Sequence, residues 1–445
     1  MNGDIDYQLI KTVSDRISGK FTFNFVSAGV STDSNRIKQG IIYAPIIDGG
    51  FDGHQLIETA IENGAVGSFW QNGIELPTTL PESFPIFYVD NVHLALERMA
   101  NEYLFNVDPT TIVVLGDYSR VATKKILKKV LDQPFVVYEG GSSVTVLHVL
   151  ETILSMPSNT DVFIMDVPST KTSHVSRISE IVKPSLAIIS ENTGGNTQAI
   201  SIVEGMKATG TVVMDGDRPI AEGEWKTDVM TIGYEDSNIF SIKSVQTKED
   251  SLRFQMEGIL IDFIIPIYLS NHLKCVVPSI AAGLHLGIGA DQIVHSLKDL
   301  TMEDLGLDVK GNAPGSIVVF DHEKVEHSDV EYSINMVKYL HSFENRVVIV
   351  DEGFQSTPLD ITLHEIFASK LADPITHVIT IGEKAFWVTE ALNRLTNDTL
   401  ITRHFPNHAK TVDMLKELIN SSSLILYRGA NRALLEQIIT ELNRG

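Results

Sequence analysis

The chain is 445 residues long, 43% hydrophobic and 21% charged, enough for several buried cores and for two to four domains instead of one. Its 57 acidic residues against 35 basic ones give a net charge of −22, which argues against nucleic acid and against an anionic membrane, since both are held by clustered lysine and arginine. One cysteine, Cys275, excludes an internal disulfide framework and a cysteine-based zinc site.

In chain order, the opening "MNGDIDYQLIKTVSDRISG" carries acidic residues and no apolar core, so no signal peptide is expected and the default location is the cytoplasm. Residues 1–105 form a first region, with β-like runs "GIIYAPI" (40–46) and "FPIFYV" (84–89) around a helical stretch, "HQLIETAIENGA" (54–65). From 106 to 314 the pattern is α/β. Strands are predicted at 111–116, 161–166, 185–190 and 211–216, with helices between most of them, which is the signature of a parallel sheet. The stretch 218–268 alternates like antiparallel strands, and helices are predicted over 278–288 and 290–300. Its apolar run "GILIDFIIPIYL" (258–269) is too short to span a membrane and carries Asp262, so no membrane insertion is expected. "KGNAPGS" (310–316) reads as a linker or exposed turn. The α/β pattern then restarts in a third region, 315–445, with strands at 316–321, 346–351, 376–382 and 423–429.

Two stretches carry chemistry. In "VVLGDYSRVATKK" (113–125) an apolar strand runs into Gly116 and a helix is predicted from near Ala122, the context of a phosphate-binding loop. Such a loop ends in a run like Gly-Lys-Thr, where this chain has Ser119, Arg120 and Val121. Arg120 retains a positive charge, but a planar fork differs from a flexible ammonium, and Val121 offers no hydroxyl to Mg²⁺. Thr123 and Lys124 remain available to hold a phosphate in a rearranged way. The second stretch is "STDSNRIKQGIIYAPIIDGGFDGHQLIETAIENGAVGSF" (31–69), a polar loop, a Gly before a strand, and Asp-Gly-His opening a helix. Taken alone, Asp52-Gly53 is a turn and His54 an ordinary helix-start residue. Two other patterns are set aside. "GLHLGIG" (283–289) ends a helix instead of following a strand, and "DGD" (215–217) lacks the later residues of a calcium loop.

Through Asp33, Ser34, Gly40, Tyr43, Asp52, Gly53, His54, Gly64 and Ala65 this stretch resembles the first domain of the Mur ligases, ATP-dependent enzymes that add amino acids to UDP-N-acetylmuramoyl peptides, and within them the branch adding D-alanyl-D-alanine. The resemblance implies three domains: a small N-terminal α/β domain, a central P-loop-like parallel-sheet domain and a C-terminal Rossmann-like domain. It implies that Ser31, Thr32, Asp33, Ser34, Asp52, Gly53 and His54 hold the UDP moiety of the substrate. It also sets Gly116, Arg120, Thr123 and Lys124 at the ATP loop, Asp166 at a Mg²⁺ ligand, and Lys207 at the family's carbamylated lysine, a solvated surface lysine being the other reading of that residue. In the third region Asp321, Gly429 and Arg432 stand at positions of the family's adenine and amino-acid motifs. Packing and turn positions agree with the family, while positions touching ATP, Mg²⁺ and the attacking amine differ. The resemblance therefore implies a MurF-like chain of peptidoglycan-precursor synthesis, with a UDP-muramoyl peptide or a cell-wall-synthesis protein as partner. Either its catalysis is lost or impaired, or it is an active ligase that uses ATP and Mg²⁺ through an unusual nucleotide loop.

Overall fold

The computed structural model describes residues 5–440 apart from 23, 117–118, 142–144, 170–171, 191–196, 219–224, 226, 249–250, 267–268, 270–272, 305–307, 312–316, 322–333, 335–336, 338–342, 352–364, 366, 370, 372–373, 396–399, 408, 419, 421, 430–432, 434 and 438. The chain divides into two compact units. One comprises 1–116, 131–214 and 218–231, and the other 117–130, 215–217 and 232–445. The fold is mixed α/β.

In the first unit, Val30–Ser31, Ile42–Tyr43, Gly67–Gln71 and Ile86–Val89 run parallel, and Arg16–Ser18 closes the far edge antiparallel. The run predicted over 40–46 contributes only Ile42–Tyr43, because Ala44 to Ile46 leave the sheet for the turn before Asp52. The helix Val92–Val107 then buries Val92, Ala95, Leu96, Met99, Ala100 and Tyr103, the apolar stripe of a helix packed along one side. It stops at Asp108, which takes the left-handed conformation (φ 45°) that Asp tolerates better than most residues.

Beyond it lies the central parallel sheet, in the order Val137–Glu139, Val162–Pro168, Thr110–Gly116, Leu186–Ile189, Thr211–Asp215. Thr110–Gly116 is central and near-continuously apolar, as a strand covered on both faces must be. The chain adds strands first on one side of it and then on the other, so its carboxyl end is a topological switch point, where ligands of open α/β sheets bind. One core joins first-region residues (Val30, Phe69, Phe87) to central ones (Val113, Val149, Phe163). Tyr103 reinforces the join by donating its hydroxyl hydrogen to Met156 O at 2.5 Å.

In the second unit, Phe240–Thr247, Ser251–Met256 and Phe263–Pro266 are antiparallel, as the alternation over 218–268 implies. The helix predicted from Pro278 begins earlier and spans Leu273–His285 with Pro278 inside it, buried along with most of its neighbours. Tertiary packing outweighs the missing N–H there. The C-terminal sheet runs Asp308–Gly311, Ile317–Asp321, Ser423–Arg428, Asn345–Val350, His377–Ile381, Ile401–Phe405, parallel except for its first pair. Asp308–Gly311 pairs antiparallel with Ile317–Asp321.

The helices Thr172–Val182 and Thr197–Glu204 approach so closely that a Cβ on Gly205 would lie 2.5 Å from the backbone carbon of Ser179. Gly205→Ala is expected to cost roughly 1–3 kcal/mol of unfolding free energy, read as a lower urea midpoint at unchanged slope.

Candidate functional site

The polar loop of the first region is built by short-range hydrogen bonds. Ser31, 8% exposed, receives the Asp33 amide on its hydroxyl oxygen and donates to Asp33 O, both at 3.2 Å. Asp33 caps the 3₁₀ turn Ser34–Arg36 by accepting from Asn35 N at 2.9 Å, and its carboxylate stays about half exposed beside Arg36. Ser34 is 2% exposed, its carbonyl accepts from Asn63 Nδ2 at 3.0 Å, and its hydroxyl has no hydrogen-bond partner. Thr32 gives both its amide and its hydroxyl hydrogen to Glu151, a residue that sequence spacing could not single out.

Asp52, Gly53 and His54 form the second half of this region. Asp52 caps the turn Gly53–Leu56 by accepting from the His54 amide at 2.9 Å. This cap divides the predicted helix over 54–65 into that turn and the helix Ile57–Glu62. His54 is 2% exposed and stands edge-on to Trp70. Its Nε2 accepts from the Gln71 amide at 3.2 Å, which assigns the ring proton to Nδ1, and Nδ1 donates to Asp52 at 2.6 Å. Both ring nitrogens are therefore used inside the protein, and His54 braces the turn. Burial lowers the His54 pKa against the opposing pull of Asp52. Burial raises that of Asp52, but hydrogen bonds from the His54 amide and ring outweigh it, so the carboxyl lies below its usual value. Tyr43, fully buried, donates to Gly53 O at 2.8 Å, and burial pushes its hydroxyl up to about 12.

At the switch point, Gly116 ends its strand and accepts from the Ser169 amide at 3.2 Å. The helix Arg120–Leu131 begins two residues earlier than predicted, with Arg120 and Thr123 both 0% exposed and Lys124 4% exposed. The Thr123 hydroxyl is buried without a hydrogen-bond partner. Asp166, level with Val114 on the neighbouring strand, is 0% exposed. Arg120, Lys124 and Asp166 are each engaged by other groups, so none is a free charge. No cluster of three metal-ligating side chains occurs among the described residues.

Lys207 lies elsewhere. Its amide donates to Pro184 O, and its ammonium stands 3.6 Å from Asp108, two residues before Thr110. Those groups mark the amino edge of the sheet, and the seven-residue strand puts Gly116 about 20 Å away. The Lys207 side chain is 41% exposed there. In the C-terminal sheet a Cβ on Gly429 would fall 1.9 Å from Asp351 Oδ1, so a side chain there would have to displace the Asp351 carboxylate, while Tyr427 donates to Asp351 Oδ2 at 2.5 Å. Arg432 and residues 322–333 lie outside the described residues, as do 191–196 and 117–118.

No family model matches the chain. Among curated proteins it is similar to the UDP-N-acetylmuramoyl-tripeptide–D-alanyl-D-alanine ligase of Bacillus subtilis (strain 168), 24% identical over 452 residues, covering 97% of this chain and 98% of the relative. It is also similar to the ligase of that name from Rickettsia prowazekii (strain Madrid E), at 21% identity over 92% of this chain and 94% of the relative. Among solved structures, a MurF from Acinetobacter baumannii superposes over the whole of both chains with a TM-score of 0.75 at 16% identity. The MurF ligase from Thermotoga maritima in complex with ADP gives 0.69 at 17% identity, over 94% of this chain and 98% of that one. The fold is that of the three-domain Mur ligases. In sequence the chain is similar to MurF ligases, and the likeness runs along almost its whole length.

The His54 geometry fixes a pH response. The unfolded chain binds a proton on this ring below about 6.5, while the folded ring resists it, so stability is fully present above 6.5 and falls as pH drops towards the lowered folded pKa. Denaturant midpoints measured from about pH 8 down to pH 5 are expected to fall through this window in wild type, and to fall less in His54→Gln.

Proposed function

We propose that this chain is a MurF-like protein of peptidoglycan-precursor synthesis that binds a UDP-N-acetylmuramoyl peptide, or an enzyme of that synthesis, and is itself non-catalytic or impaired. The observation that carries the reading is the burial of Arg120, Thr123 and Lys124, at 0%, 0% and 4% exposure, in a helix start that lacks the Gly-Lys-Thr of a working loop. A triphosphate needs backbone amides and charges facing it, and here the charges are already engaged within the protein. With a net charge of −22, the overall field also opposes an anionic nucleotide unless a local positive site faces it. By contrast, the loop 31–36 keeps Asp33, Asn35 and Arg36 at the surface, where carboxylate, amide and guanidinium groups can meet a uridine and its diphosphate. His54, whose ring is committed internally, shapes that site without donating to the ligand.

The active-ligase reading draws on one observation, the buried Thr123 hydroxyl with no hydrogen-bond partner, a group a phosphate or a metal-bound water could satisfy. In that case the resemblance would put Asp166, 0% exposed, at the Mg²⁺ position. A cytoplasmic location belongs to the same proposal, and no helix among the described residues is long and apolar enough to cross a membrane.

Calorimetric titration with Mg·ATP and with UDP-N-acetylmuramoyl tripeptide, together with phosphate release in the presence of D-alanyl-D-alanine, separates the two readings. The expected result is binding of the UDP ligand with neither ATP binding nor phosphate release. Micromolar ATP binding with turnover would establish the ligase instead, and silence towards both ligands would leave a protein partner.

A further inference from the structure

Glu151 lies on the helix Val146–Leu154, 119 residues along the chain from the loop it reaches. Its Oε1 accepts the Thr32 amide at 2.5 Å and the Thr32 hydroxyl at 2.7 Å, so both donors of one residue converge on one charged oxygen. Hydrogen bonds to an ionised acceptor are the stronger kind. The helix beneath is firmly seated. Thr145 caps it by accepting the His148 amide at 3.2 Å, Val149, Leu150, Ile153 and Leu154 are buried, and Ser155 donates back to Glu151 O at 2.8 Å.

The other ties described for the loop are local to the first region: Ser31 with Asp33, Asp33 with Asn35, and Asn63 with Ser34. Glu151 is the tie that comes from the central region. Two residues beyond Thr32, the Ser34 hydroxyl is 98% buried by residue and has no protein partner, the state of a polar group that awaits one.

We infer that Glu151 is a positioning residue for the first-region site. It holds Thr32 from behind, so that the following turn presents Asp33 and Ser34 to the uridine diphosphate end of a UDP-linked ligand; this rests on the proposed function. Glu151 does not itself contact the ligand. Its negative charge disfavours a diphosphate close by, and the oxygen that faces the loop already accepts two bonds. Thr32 likewise acts through its position, because both of its donors are committed. The anion therefore belongs on the side of the loop away from Glu151, where the Arg36 guanidinium offsets the Asp33 carboxylate.

The test titrates the full-length chain with UDP by calorimetry and follows amide hydrogen exchange in the peptide containing Thr32, for wild type, Glu151→Ala and Glu151→Gln. Glu151→Ala is expected to weaken UDP binding by about tenfold or more and to speed exchange at Thr32. Glu151→Gln keeps an oxygen able to accept the same two hydrogens, and is expected to retain affinity within about threefold. Rescue by the amide separates positioning from a general loss of stability, since the charge is gone in both variants. Wild-type or tighter UDP affinity in Glu151→Ala would overturn the inference whatever the exchange rates. If UDP fails to bind wild type, the reading of the first region as a UDP site fails, and the exchange data alone decide Glu151. Faster exchange at Thr32 in Glu151→Ala then sustains its hold on the loop, and unchanged exchange overturns it.

Discussion

The strand Thr110–Gly116 is the constraint on which the central sheet depends. It pairs along its full length with Val162–Pro168 on one side and over four residues with Leu186–Ile189 on the other. Both faces are covered, so a residue that carried a charge here would have no solvent to turn to. That double pairing makes its end a switch point and determines which loops can meet there. Its direction also separates the two edges of the sheet: Gly116 and Asp166 lie towards the carboxyl edge, while Asp108 and Lys207 lie at the amino edge.

A second dependence is the continuity of the core between the first region and this sheet. The helix Val92–Val107 and the helix Val146–Leu154 bring Val30, Phe69 and Phe87 into one apolar cluster with Val113 and Phe163. Close packing of this kind transmits position with little slack. It allows a carboxylate on a central-region helix to reach a loop of the first region, and the backbone at Gly29 to lie against Ser155. The polar groups of the loop are thus held from two directions, by their own turn and by the helix behind it.

The two candidate regions differ in how their polar atoms are used. Around Asp52 the carboxylate, the imidazole and two backbone amides form a closed set in which every donor has an acceptor, and this rigidifies the turn. At the helix Arg120–Leu131 an arginine and a lysine are enclosed at a large desolvation cost that their engagement with other groups must offset. In the C-terminal sheet, Asp351 fills the space that a side chain at 429 would need. Each case ties a residue type to a local packing requirement.

Much of the fold was legible from one dimension. Buried parallel strands read as short β-branched runs, because both of their faces must be apolar; the runs predicted for the central and C-terminal sheets are strands, while Val137–Glu139, Asp308–Gly311 and Ile401–Phe405 were not predicted. The switch from alternating to α/β pattern, the Asp-Gly-His turn and the absence of a Gly-Lys-Thr run are properties of neighbours in sequence, so the sequence by itself determined the fold class and located the candidate loops. It could not fix where the helix around Pro278 begins, since packing decides that. Nor could it show that Lys207 faces Asp108, that both nitrogens of His54 are spent, or that Glu151 reaches Thr32. Such facts depend on which edge of a sheet a loop falls on and which helix packs behind it. Only the tertiary structure decides them, because the partners are brought together by burial of apolar surface that carries no record of the polar groups it will juxtapose.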